Sequence, residues 1–183
     1  MEGAYDGTLF HRLVKGFVVQ GGDPTGTGTG GASIYNDQPF KDEFHSRLRF
    51  THRGIVAMAN DGRKDVNLSQ FFITFDKTPD LDGKHTIFGK VVGDSMFNVL
   101  RMEDLPVKAD DRPEDPPYIK SISIVANPFS DLTAREGVDH HSKNAAHHAQ
   151  QANKLREQMA KEKTERRLKR LEQKNTAALS FGE

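Results

Sequence analysis

Apolar residues along the first 129 positions fall into short runs, each bounded by Gly, Asp, Asn or Pro. Thr8 to Val19, rich in Val, Leu and Phe, reads as a strand that Gly21-Gly22-Asp23-Pro24 stops with turn residues. Pro24 to Ser33 (PTGTGTGGAS) reads as a glycine loop. The runs Gly54 to Ala59, Gln70 to Phe75 and Thr86 to Val91 predict further strands of a compact β-fold. Met96, Val99, Leu100 and Met102 recur at helical spacing and predict a helix over Ser95 to Leu105, capped by Asp94 or Ser95. A connector rich in Pro and Asp, Asp110 to Pro117, leads into the alternating run Ile119 to Val125, a final strand closed by Asn127-Pro128.

Beyond Arg135 the pattern changes. Asn144 to Lys174 contains no Gly or Pro and is rich in helix formers. Its apolar positions, Leu155, Met159, Leu168 and Leu171, make no continuous stripe, which predicts a solvated or partner-dependent helix. The last residues, TAALSFGE, are a short apolar patch expected to be a disordered end.

Composition sharpens this division. The formal net charge is zero, yet residues 1–134 hold 15 Lys and Arg against 19 Asp and Glu, whereas residues 135–183 hold 11 against 7. All three Tyr and eleven of the twelve Phe precede residue 135. The reading is a folded domain over residues 1–129 and a charged, helical or disordered tail over 130–183. No stretch approaches the ~18 apolar residues of a membrane-spanning helix, and the N-terminus lacks the basic start and apolar core of a signal peptide. With no Cys there is no disulfide framework, so a cytosolic or nuclear protein is the expectation.

Candidate chemistry gathers around Arg12 and Gln20. They stand eight residues apart, an even spacing, and in an extended chain that spacing shares a face, with Phe17 and Val19 distributed around them. Other signals carry less. Gly26, Gly28 and Gly31 satisfy G-x-G-x-x-G, but a dinucleotide site needs a helix opening at the glycines, and SIYNDQPF opens one poorly. A flexible loop beside a binding groove fits better. His140, His141, His147 and His148 form pairs seven residues apart, about 10 Å along a helix and too far for one metal ion. No metal and no cofactor is expected. Lys163 to Arg170 (KTERRLKR) reads either as a nuclear-localisation or RNA-contacting patch or as a solvated helix face with pairs such as Glu162 and Arg166. The lack of aromatic residues there argues against specific single-stranded RNA recognition.

Four segments in order carry a resemblance: FHRLVKGFVVQGGDP from Phe10, GIVAMAND from Gly54, SQFFITF from Ser69 and DLDGKHTIFGKVVGD from Asp80. From about Tyr5 to Phe129 the chain resembles the cyclophilin family of peptidyl-prolyl cis/trans isomerases. The resemblance implies a mainly β fold, an eight-stranded antiparallel barrel with a helix at each end that binds proline-containing peptides on its outer face. The match begins just before Phe10, so the expectation is an incomplete barrel with the first two strands and first helix missing, one short helix and the charged tail. A barrel removes its strand edges only by closing, and the chain is accordingly expected to be a fragment, alternative product or incomplete gene model.

The resemblance also assigns roles. Arg12 matches the catalytic arginine, whose planar fork hydrogen-bonds the prolyl amide, and Gln20 matches the residue that orients it. Phe17, Val18, Phe72, Leu81 and His85 match the proline pocket, with Val18 replacing a more usual methionine. Ala59, Asn60 and Gln70 match the adjoining peptide groove. Asp80 stands where most of the family has a tryptophan whose indole donates to ligand. A carboxylate only accepts, so weak peptide binding, weak isomerisation and weak cyclosporin binding are expected. Asp61 replaces a small residue and is expected to add negative charge to the groove. The acidic residue at position 80, PTGTGTGGASIY, FKDEFHSRLRF and the LSFGE ending resemble the nuclear, spliceosome-associated branch of the family, which carries a long charged extension. That likeness implies a part in pre-mRNA splicing with spliceosomal proteins as partners. The alternative reading is a non-catalytic protein- or RNA-binding adaptor working through its basic tail.

Overall fold

The computed structural model describes residues 2–129 and 131–133. The expected tail helix, the histidine pairs and the basic run at 163–170 lie outside the described residues.

The run from Thr8 to Val19 is two strands rather than one. Arg12–Val14 (β1) and Val18–Gly21 (β2) pair as an antiparallel hairpin. The Phe17 N–H donates to the Val14 carbonyl at 3.0 Å, and Gly16 takes a φ of +71°. The third position of such a turn calls for a left-handed backbone, which only glycine adopts without steric cost. Arg12 therefore lies directly opposite Gln20. They share a face through pairing across a hairpin, not through even spacing along one strand.

Ile55–Met58 (β3), Phe71–Thr74 (β4) and Ile87–Lys90 (β5) form where the apolar runs predict, each trimmed by one residue at both ends. The sheet order is β1-β2-β4-β3-β5, with every neighbouring pair antiparallel. Ser95–Glu103 (α1) is the expected helix, two residues shorter; Asp94 occupies its N-cap position without a side-chain capping bond.

Strand alternation sorts the core onto two faces. Leu13, Val19 and Ile73 bury on one face with Phe10, Phe75 and Val99 of α1. Their chain neighbours Val18 and Phe72 bury on the other, with Ile55, Ala57 and Phe50. Each fully buried Leu or Val contributes about 1.5–3 kcal/mol, and a one-residue register slip would exchange the two sets. The helix closes the first face. The second carries the candidate site.

Ile119 to Val125 does not form the expected strand. Tyr118 bridges Leu9, and Ile119 hydrogen-bonds Gly7 and Thr8. Beyond it the Ile122 N–H turns to the Asp6 carboxylate at 3.0 Å, and Ile122, Ile124 and Val125 are exposed. Alternation supplies a face to bury, but a strand also needs a neighbouring backbone to pair with, and 121–125 form no ladder with the described residues. Among the described residues the sheet is open, ending at β1 and β5 rather than closing into a barrel. The segment from Asp110 to Pro117 is more than a connector. The Leu13 N–H donates to the Asp111 carbonyl at 2.7 Å and the Phe10 N–H to that of Pro117 at 2.8 Å, which fixes this segment along the outer edge of β1.

Candidate active site

Phe72 is the centre of the second sheet face. It pairs with Gln20 of β2 on one side and Ala57 of β3 on the other. Its ring stacks on Phe50 at 5.9 Å and meets His85 edge-on at 5.1 Å. Val18 is buried in the same cluster, with Phe17, Ala59 and Leu81 packed against it. The residues expected to form a proline pocket, Phe17, Val18, Phe72, Leu81 and His85, are thus brought together. Phe50, only 1% exposed, is a wall of this cluster that the motifs did not single out; its signal was one aromatic residue ending the polar run SRLRF. His85 Nδ1 lies 3.0 Å from the Met58 carbonyl, so Nδ1 carries the proton and donates. Burial pushes the imidazole below the ordinary histidine value, the Met58 carbonyl acting in the opposite direction. A neutral ring therefore lies against Phe72 at pH 7.

Beside the pocket, Gln20, Ala59, Asn60 and Gln70 line a cleft of ≈ 580 Å³ together with Gly28 and Gly30. An amide relay fixes its polarity. Gln70 Nε2 donates to the carbonyls of Gly28 at 3.0 Å and Gly30 at 2.6 Å. Both of its hydrogens are then used, and its Oε1 accepts from Gln20 Nε2 at 2.7 Å. Among the described residues this leaves Gln20 Oε1 as an acceptor without a donor, on the face it shares with Arg12. Asn60 Nδ2 donates to the Lys84 carbonyl at 2.9 Å and ties the cleft to the residue before His85. Arg12 is held from another direction: its Nη2 pairs with Asp111 Oδ2 at 3.3 Å, both side chains being nearly half exposed.

The glycine loop is organised around a carboxylate that sequence reading missed. Asp23 is fully buried. Its Oδ1 accepts from the Thr25 N–H at 2.7 Å and hydroxyl at 2.8 Å, and its Oδ2 from the N–H groups of Gly28 at 2.7 Å and Gly30 at 3.1 Å. Burial pushes the Asp23 carboxyl up, but the Thr25 hydroxyl and the three backbone donors together outweigh it and hold the group below the ordinary carboxylate value. A β-carbon added at Gly30 would overlap Asp23 Oδ1 and the Thr25 side chain. Gly30→Ala is therefore expected to cost about 1–3 kcal/mol of stability, read as a lowered urea midpoint at unchanged slope.

Two acidic departures from the family pattern behave differently. Asp61 does not add free charge to the groove as expected, because Arg63 pairs with its Oδ2 through Nε at 2.8 Å and Nη2 at 2.5 Å. The hydrogen bond from Arg63 holds the Asp61 carboxyl below its ordinary value. Asp80 sits on the first turn of a short 3-10 segment, Pro79–Leu81, beside Leu81 of the pocket. It is exposed and makes no hydrogen bond or ion pair among the described residues.

Among the described residues, an antiparallel sheet with an aromatic cluster and Arg12 opposite Gln20 on one face defines a cyclophilin-like fold. The family profile described as "Cyclophilin type peptidyl-prolyl cis-trans isomerase/CLD" matches residues 1–124, and the chain belongs to that family. Within it, the chain is similar to "Peptidyl-prolyl isomerase CWC27" of Cryptococcus neoformans, 49% identical over 183 residues, which are 100% of this chain and 35% of that protein. It is also similar to "Spliceosome-associated protein CWC27 homolog" of Danio rerio, 60% identical over 136 residues, 74% of this chain and 28% of the relative. The chain thus spans about a third of the length of these relatives or less. Among solved structures, a Cryptosporidium parvum cyclophilin-type peptidyl-prolyl cis-trans isomerase crystallised in the presence of the dipeptide Ala-Pro aligns with a TM-score of 0.62 at 44% identity, covering 68% of this chain and 78% of the other.

Proposed function

We propose that residues 1–129 bind proline-containing peptide segments over Phe72 and isomerise the X–Pro bond weakly, within a nuclear protein of the spliceosome. One observation carries this reading: the cluster of Phe17, Val18, Phe72, Leu81 and His85 lies on the face that also presents Arg12 opposite Gln20. The reaction asks little of a protein. Resonance sets a barrier of about 18–20 kcal/mol to rotation about the C–N bond, and each ~1.4 kcal/mol removed gives a tenfold rate. The apolar pocket holds the prolyl ring, and an Arg12 N–H donated to the prolyl nitrogen weakens the resonance.

Asp80 supports the weakness of catalysis. It offers an acceptor where peptide carbonyls need a donor, and it supplies no aromatic surface. For the same reason cyclosporin binding is expected to be weak. The name of the Danio rerio relative supports the spliceosomal setting, and a nuclear location is proposed with it.

Exchange spectroscopy on a proline peptide, with and without the full chain, tests the reading. Peptide-induced shifts are expected at Phe72, His85 and Gln70, and Arg12→Ala is expected to remove the catalysed exchange while the amide spectrum stays dispersed. An unchanged catalysed rate in Arg12→Ala would sink the assignment. The charge asymmetry of the tail favours a second reading, an adaptor that contacts protein or RNA through Lys163 to Arg170. Deleting residues 136–183 distinguishes the two, since the adaptor reading requires association with the spliceosome to be lost.

A further inference from the structure

The turn from Lys108 to Arg112 sends two neighbouring side chains to two parts of the site. The turn is closed by the Asp111 N–H to the Lys108 carbonyl at 3.1 Å and the Lys108 N–H to the Arg112 carbonyl at 2.8 Å. The Leu13 N–H fastens it to β1 through the Asp111 carbonyl. Asp111 has a φ of +61°, a left-handed backbone that among side-chain-bearing residues Asn and Asp tolerate best. This conformation accompanies a carboxylate that reaches Arg12 Nη2 at 3.3 Å. The next residue, Arg112, sends Nη1 to the Gly26 carbonyl at 2.9 Å. Gly26 belongs to the loop whose Gly28 and Gly30 carbonyls aim Gln70, which in turn aims Gln20.

We infer that the Lys108–Arg112 turn is a positioning brace for the candidate catalytic arginine, with Asp111 aiming the Arg12 guanidinium directly and Arg112 steadying the loop that sets the polarity of Gln20. The inference rests on the proposed role of Arg12. A guanidinium has five N–H groups in one plane. Anchoring an Nη2 hydrogen to Asp111 restricts rotation of that plane and leaves the other N–H groups for Gln20 Oε1 and a bound prolyl nitrogen. Gln20 Oε1 accepts no hydrogen bond from Arg12 among the described residues, and the guanidinium is anchored instead by Asp111. Asp111 touches no substrate in this scheme and acts only through Arg12.

The test uses the full chain and two substitutions that the left-handed backbone accepts. Asp111→Asn keeps a neutral acceptor, and Asp111→Gly removes the side chain. Two readouts are followed: the Arg12 Nε–Hε resonance, and exchange in a bound proline peptide. Because the pair is nearly half exposed, the expected loss of catalysed exchange is modest, about three- to fivefold for Asp111→Gly and less for Asp111→Asn. The peptide dissociation constant should change by less than about twofold. The Arg12 Nε–Hε signal should shift in both variants while the remaining amide spectrum overlays the parent. In an Arg12→Ala background Asp111→Gly should have no further effect on exchange. An unmoved Arg12 Nε–Hε signal in both variants overturns the brace, whether or not the parent chain catalyses. If the parent shows no catalysed exchange but the signal shifts, the isomerase reading fails and the brace stands.

Discussion

Replacing Asp80 with Trp is expected to raise affinity for a proline peptide, and with it the catalysed exchange, by about tenfold or more. Two contributions add. A new indole N–H that reaches a peptide carbonyl is worth about 0.5–1.5 kcal/mol. A Trp side chain carries roughly 150–250 Å² of surface, and covering even a quarter of it at ~25 cal/mol per Å² contributes about 1 kcal/mol more. The substitution is feasible locally because Asp80 is exposed on the Pro79–Leu81 turn and has no partner among the described residues to lose. The measurement is a peptide titration followed by exchange spectroscopy on the parent, Asp80→Trp, and Asp80→Trp combined with Arg12→Ala. The double variant should keep the gain in affinity and lose the gain in rate. Equal affinity in parent and Asp80→Trp would mean that position 80 does not face the ligand.

Asp23 gives the second large effect, this time on stability. Asp23→Asn presents a single oxygen, so whichever way the amide is turned, its NH₂ group confronts either Thr25 or the N–H groups of Gly28 and Gly30. Buried donors left without acceptors cost about 1–3 kcal/mol each, and a total loss of about 2–4 kcal/mol is expected at neutral pH. The pH dependence has a defined sign. Asp23 is held below its ordinary value in the fold, so its stabilising contribution is complete above the unfolded value of about 3.9. The contribution is lost as the pH falls through the lower, folded value. Denaturant midpoints of parent and Asp23→Asn should therefore differ widely at pH 7 and draw together below about pH 4. A constant difference across that range would remove ionised Asp23 from the account.

Much of the site was legible because its residues sit on short, strongly patterned strands. Phe72 and Gln70 fall within an apolar run bounded by Ser69, and the motif order placed Leu81 and His85 near them. The hairpin was not legible as such. Lys15-Gly16 interrupts an apolar stretch too briefly to break a strand pattern, although a glycine between two Val-rich runs is a turn signal. The final strand failed for the opposite reason, since alternation over Ile119 to Val125 reports a willingness to pair and not the presence of a partner. Asp111 and Asp23 were invisible for other reasons. Asp111 reaches an arginine 99 positions away, a contact formed only after the chain folds back, whereas Asp23 binds residues two to seven positions on, and its turn setting gave no sign that it would be buried.

The G-x-G-x-x-G run gains a different meaning from its upstream neighbour. In a nucleotide site such glycines leave backbone N–H groups free to receive a phosphate. Here the N–H groups of Gly28 and Gly30 already receive the carboxylate of Asp23, three residues ahead of the first glycine of the motif. The nest carries its own anion. A sequence scan that counts glycines would score this loop as a nucleotide cradle, whereas one that asks where the nearest buried acid lies would score it as already filled.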